Sequence, residues 1–62
     1  MRDPRRIERI VSKLELYWKG VPDWRFGQLI ENLKRYSGHH DLFYIEDDKF
    51  EQILDGFFNG EE

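Results

Sequence analysis

The chain contains no cysteine, which excludes disulfide staples and any cysteine-ligated zinc. For 62 residues that absence is restrictive, because a chain this short buries only about 60% of its unfolded surface and is marginally stable without help. Tight packing of its ten aromatic residues, or association with a second chain, is the support left. Bridges would be more usual in a small secreted domain, so a cytoplasmic setting is expected.

Long apolar runs are also missing. No segment approaches the roughly 18 apolar residues that a membrane span requires. No apolar signal region follows Arg2-Asp3-Pro4-Arg5-Arg6, so the chain reads as a soluble, unprocessed single domain over residues 1–62. Catalytic motifs are absent in the same way. Ser12 and Ser37 stand in neither a Gly-x-Ser-x-Gly nor a Ser-x-x-Lys context, and a domain this small has little room for an enclosed pocket of about 300 Å³. His39, His40 and Asp41 are adjacent loop residues, a poor match to the fixed geometry of a metal site. Glu46-Asp47-Asp48 lacks the alternating acids and central glycine of a calcium loop and suits a helix N-terminus better. No catalytic residue, metal site or cofactor is predicted, and the chain is not expected to be an enzyme.

What is present is charge, unevenly placed. The formal net charge is −3, yet residues 1–36 hold nine Lys and Arg against five Asp and Glu, while residues 37–62 hold one lysine against eight acids. Such a dipole can steer a partner or pair two copies.

Three amphipathic segments follow. Asp3, Pro4 and the Gly20–Pro22 stop bound a first helix at about residues 4–19. Its Ile7, Ile10, Val11, Leu14, Tyr17 and Trp18 fall within an arc of about 120° and read as a core-facing stripe. Leu16 sits off that stripe and is expected to be exposed. A second helix at about 24–36 takes Asp23 as its cap and presents Phe26, Leu29, Ile30, Leu33 and Tyr36. Gly27 is anomalous in its first turn: either a backbone packs closely there or the helix begins later. A third helix at about 48–58 has Asp48 and Glu51 at capping-box spacing. Its stripe is Phe50, Ile53, Leu54, Phe57 and Phe58, with Glu51 and Asp55 turned to water, and an acidic tail frays after Asn59-Gly60. Between the second and third helices, Leu42-Phe43-Tyr44-Ile45 is too short to show a period and is expected to be extended, as a strand or as buried chain. The fold class is therefore all-α, a small three-helix domain with a short extended apolar segment before its last helix.

Two sets of residues are left for function. Leu16, Trp24, Leu42, Phe43 and Tyr44 are the apolar groups least accounted for by the stripes, and are candidates for protein binding or for a homodimer interface in which 42–45 serves as an edge strand. Trp24 has a plainer reading as a lid folded over a helix end. Arg2, Arg5, Arg6, Arg9 and Lys13 share one side of the first helix and could follow phosphates; the plainer reading is a solvated face, and the acidic second half would repel nucleic acid.

Arg2-Asp3-Pro4, Val21-Pro22-Asp23-Trp24-Arg25-Phe26-Gly27-Gln28-Leu29 and Phe43-Tyr44-Ile45-Glu46-Asp47-Asp48 together resemble a family of short hypothetical proteins from Gram-positive bacteria and their phages and prophages. The resemblance spans most of the chain, carries no assigned activity and transfers no site residue. It implies a context: small phage proteins without enzymatic features often bind and inhibit a host protein, defence proteins included. The expectation is a non-enzymatic protein-binding module in the host cytoplasm, with a small nucleic-acid binder as the alternative.

Overall fold

The first helix, α1 (Arg5–Lys19), is followed by α2 (Phe26–Ser37) and α3 (Asp47–Asn59) in a computed structural model that describes residues 2–60. The chain is all-α, with no strand among the described residues, and each helix falls within two residues of its expected bounds. The acidic tail expected to fray, Glu61-Glu62, lies outside the described residues.

Local chemistry explains most of the boundaries. Pro4 already has helical dihedrals (φ −66°, ψ −15°), and the Asp3 carboxylate accepts the Arg5 amide at 3.0 Å, satisfying one free donor of the first turn. At the start of α2 Asp23 is not the cap. A turn closed by the Trp24 amide on the Val21 carbonyl delays the helix, and the Gln28 side chain reaches back to accept the Arg25 amide at 2.7 Å. Gly38 ends α2 in the left-handed region (φ 75°), where an L side chain would be strained. The Asp48–Glu51 capping box does not form: α3 starts one residue earlier, its N-cap position is Glu46, and Glu51 is engaged by α1 instead.

The apolar segment 42–45 is a turn rather than extended chain. The Ile45 amide bonds the Leu42 carbonyl at 3.2 Å, and Asp41 Oδ1 accepts the Phe43 amide at 2.9 Å. An aspartate that satisfies the backbone two residues on favours a turn over a strand, so 42–45 presents no edge to a second chain.

Leu29 and Leu33 of α2 and Ile53 and Leu54 of α3 form the buried core. Leu14, Tyr17 and Trp18 of α1 and Trp24, Phe57 and Phe58 close over it, half-buried. Tyr17 stacks on Phe58 with ring centroids 4.7 Å apart and planes 8° from parallel, and Phe57 meets Trp24, Tyr36 and Phe58. Both α1 and α2 pack on α3. The expected α1 stripe is only partly used: Ile7 and Val11 are more than half exposed, and α1 buries no residue fully.

Although α2 starts later than expected, at Phe26, Gly27 still lies in its first turn. It has no positive φ, and a Cβ built there meets nothing within 4 Å, so neither a close backbone nor a special conformation demands glycine. Gly27→Ala is expected to stabilise the fold by about 0.4–1 kcal/mol through the unfolded chain and helix propensity. Thermal unfolding should show this as a rise of a few degrees; an unchanged or lower melting temperature would mean that α2 does not extend through residue 27.

Candidate protein-binding surfaces

The basic face of α1 lies against the acidic face of α3. Arg2 reaches both Glu46 oxygens (3.1 and 2.9 Å), Arg6 pairs with Asp47, and Arg9 Nε lies 3.0 and 2.9 Å from the Glu51 oxygens. Lys13 sits between Glu51 (2.6 Å) and Asp55 (2.8 Å). Tyr17 continues the row: its hydroxyl donates to Asp55 at 2.6 Å and accepts from the Asn59 amide at 3.1 Å. Glu51 and Asp55, expected to face water, instead face α1. The Glu51 side chain keeps only 12% of its exposure, a position a carboxylate tolerates only with cationic partners.

The electrostatics follow from these contacts. Hydrogen bonds from Arg9 and then Lys13 hold the Glu51 carboxyl down to about 2. Those from Lys13 and Tyr17 lower that of Asp55, and the Asp55 and Glu51 carboxylates in turn raise the Lys13 ammonium. The Asp55 hydrogen bond also raises the Tyr17 phenol. Of the five basic residues singled out from the sequence, Arg6, Arg9 and Lys13 are thus paired from α1 to α3, and Arg2 with Glu46 at the N-cap of α3. Arg5 is paired locally with Asp3 at 2.9 Å.

The protein-binding candidates separate into two groups. Trp24 and Leu42 are half-buried, and Trp24 packs on the core with its carbonyl accepting the Trp18 indole N–H at 2.8 Å. Leu16 is 68% exposed, alone on the side of α1 away from the core. Phe43 and Tyr44 are 82% and 80% exposed. They occupy the two corner positions of the 42–45 turn, which points them outward while Leu42 and Ile45 turn in. Their rings meet edge to face, 4.9 Å apart at 74°, and the Arg2–Glu46 pair borders them. His39 and His40 are exposed, and Asp41 is engaged by the turn. Among the described residues no three His, Cys, Asp or Glu side chains converge as a metal site.

A second surface was not foreseen. Val11, Leu14, Trp18 and Pro22 line an open, largely apolar groove of about 520 Å³, with Glu15 and Lys19 at its rim. The sequence does carry its signal. Arg2, Arg6, Arg9 and Lys13 recur at helical spacing beside the apolar stripe, and Asp47, Glu51 and Asp55 recur every four residues on the third helix. Two rows of opposite sign at matching intervals favour each other. Once they meet, α1 turns its basic edge toward α3 and carries Ile7 and Val11 outward.

Comparison of the chain with protein-family models, curated proteins and solved structures gives no match.

The α1–α3 row makes stability acid-sensitive. Because the folded-state pKa of Glu51 lies below its ordinary 4.5, the stabilisation is complete above about pH 4.5 and is lost as pH falls toward 2. Glu51→Gln should lower stability at neutral pH by about 1–2 kcal/mol and flatten the fall in melting temperature across that window. Parallel curves for the two proteins would show that another group titrates.

Proposed function

We propose that this chain is a non-enzymatic protein-binding module whose recognition element is the Phe43–Tyr44 tip. The observation that supports it most is two adjacent aromatic rings held outward, at four-fifths exposure, on a turn fixed by two hydrogen bonds. Exposed large aromatics cost solvation in the free protein, and rings with two rotatable bonds bind at little entropic cost when a partner buries them. The charged rim formed by Arg2, Glu46 and Asp47 matches the polar border that surrounds such anchors. With the resemblance to short phage and prophage proteins, this suggests an accessory protein that acts in the host cytoplasm by occupying and inhibiting a host protein, including a defence protein. Leu16 adds a lesser exposed contact, and a homodimer would present the tip twice.

Phosphate binding by Arg2, Arg5, Arg6, Arg9 and Lys13 is the less favoured reading, since phosphates would have to displace carboxylates already 2.6–3.1 Å from most of these cations. A salt titration with DNA and RNA separates the two: a steep fall of log affinity with log salt belongs to a phosphate binder, and no binding at low salt is expected.

The tip itself is tested by affinity capture from host lysate with wild type, Phe43→Ala and Tyr44→Ala side by side. Neither ring supports the core, so each variant should keep its stability within about 0.5 kcal/mol. Each should lose a specifically captured partner by at least about tenfold, as truncation of a binding anchor does. A partner retained equally by both variants would place recognition elsewhere.

A further inference from the structure

Asparagine is chemically labile where glycine follows it, because the glycine amide nitrogen can reach the side-chain carbonyl with no Cβ in the way. The chain has two asparagines. Asn32 stands in the middle of α2 and precedes Leu33, which is fully buried. Asn59 precedes Gly60 at the exposed end of α3, where a Cβ built on Gly60 meets nothing within 4 Å. Two hydrogen bonds hold that end closed: the Gly60 amide donates to the Gly56 carbonyl at 2.9 Å, and the Asn59 side-chain amide donates to the Tyr17 hydroxyl at 3.1 Å. The first occupies the nucleophilic nitrogen, and the second ties the carboxamide to α1.

We propose that Asn59–Gly60 is a self-modification site, gated by the Tyr17 contact, whose product loosens the far end of the α1–α3 row. When the last turn of α3 frays, the Gly60 nitrogen gives its proton to hydroxide and attacks the side-chain carbonyl carbon of Asn59. A new C–N bond forms, the bond to the side-chain nitrogen breaks, and ammonia leaves with a proton from water. The cyclic succinimide then adds water. Opening at the former side-chain carbonyl gives aspartate, and opening at the main-chain carbonyl gives isoaspartate. Water and hydroxide are the only co-reactants.

Neither product can remake the contact it replaces. Tyr17 gives its one hydroxyl proton to Asp55 at 2.6 Å, and its oxygen accepts from Asn59. A carboxylate at residue 59 offers that oxygen no donor and competes with Asp55 for the single proton. It also places negative charge at the C-terminal end of a helix, where the dipole opposes it. In the isoaspartyl form the main chain gains a methylene before the Gly60 nitrogen, which takes that amide out of register with the Gly56 carbonyl. Because the Tyr17 ring stacks on Phe58, the change reaches the aromatic packing as well as the row. The site is separate from the Phe43–Tyr44 tip, and the proposal stands without the binding reading above.

Incubation of the full chain at mildly alkaline pH, followed by peptide mass mapping, tests this. A free peptide spanning 57–62 in the same buffer gives the unrestrained rate. The expected result is conversion confined to Asn59, slower in the protein than in the peptide, with the isoaspartyl product detected by enzymatic methylation. Tyr17→Phe removes the hydroxyl that holds Asn59 and should speed conversion by about 2- to 10-fold, the factor by which losing one hydrogen bond shifts an opening equilibrium. Gly27→Ala, alone and combined with Tyr17→Phe, raises global stability without touching α3 and should leave both rates unchanged. The converted protein and Asn59→Asp should both melt below wild type. No conversion at Asn59 after about 100 half-lives of the peptide, the delay that two hydrogen bonds can impose, would overturn the proposal. A rate that is unchanged by Tyr17→Phe, or that falls with Gly27→Ala, would overturn the gating by Tyr17, and a converted protein that melts with wild type would overturn the effect on the row.

Discussion

The α1–α3 charge row is the constraint from which the rest of this structure follows. Its pairs keep nearly constant sequence separation, 44, 41, 42 and 42 residues for Arg2–Glu46, Arg6–Asp47, Arg9–Glu51 and Lys13–Asp55, and again 42 for Tyr17–Asn59. The two helices therefore run parallel and in one register. Parallel neighbours bring like helix dipole ends together, which is mildly unfavourable, and a row of opposite charges at matching intervals offsets it. The row also fixes the rotation of α1 about its axis. A helix with no fully buried residue could be turned in several ways against an apolar surface, whereas opposed cations and carboxylates select one.

That rotation determines what remains for packing. With the basic edge toward α3, only Leu14, Tyr17 and Trp18 of α1 reach the core, and four aliphatic side chains from α2 and α3 form its buried part. The aromatic rings complete it. Tyr17 serves both layers at once, stacking its ring on Phe58 while its hydroxyl bonds Asp55 and Asn59. The apolar core and the polar row are thus joined through one side chain, so the loss of either loosens the other. Such coupling suits a chain whose whole stability is of order 3–9 kcal/mol for its length.

The helices were legible because each carries its own punctuation: Asp3 and Pro4, Gly20 and Pro22, Ser37 and Gly38, Asn59 and Gly60. The apolar stripes of α2 and α3 were legible for a related reason, since Leu29, Leu33, Ile53 and Leu54 all fall within arcs of about 120–140° set by the helical period. What failed were readings made one helix at a time. Ile7 and Val11 belong to the α1 arc by period, yet the face a helix buries depends on its neighbours, and here the acids of α3 decided it. Glu51 and Asp55 looked solvent-facing for the same reason. At 42–45 hydrophobicity suggested extended chain, and the Asp41 side chain, a local turn signal, prevailed. Of the candidate site, Leu16 is exposed as expected, Phe43 and Tyr44 stand outward on a turn where extended chain was expected, and the α1 groove emerged only from the rotation of α1.

Matching the cations of α1 internally changes the character of the surface as well as the packing. A chain with nine cations in its first 36 residues would ordinarily attract polyanions at long range. Here all five basic residues at the start of α1 face carboxylates within hydrogen-bonding distance, Arg5 locally and the other four across the chain, so their field is largely cancelled a few ångströms away. Beside them the surface offers apolar groups: the outward rings of Phe43 and Tyr44 at a loop, and the exposed Ile7 and Val11 along α1. Contacts of this kind act only on touching. They give association governed by fit and burial, with little dependence on salt and modest encounter rates. The charges that looked in sequence like the means of finding a partner fasten two helices of the same chain, and by doing so they turn Ile7 and Val11 toward the solvent.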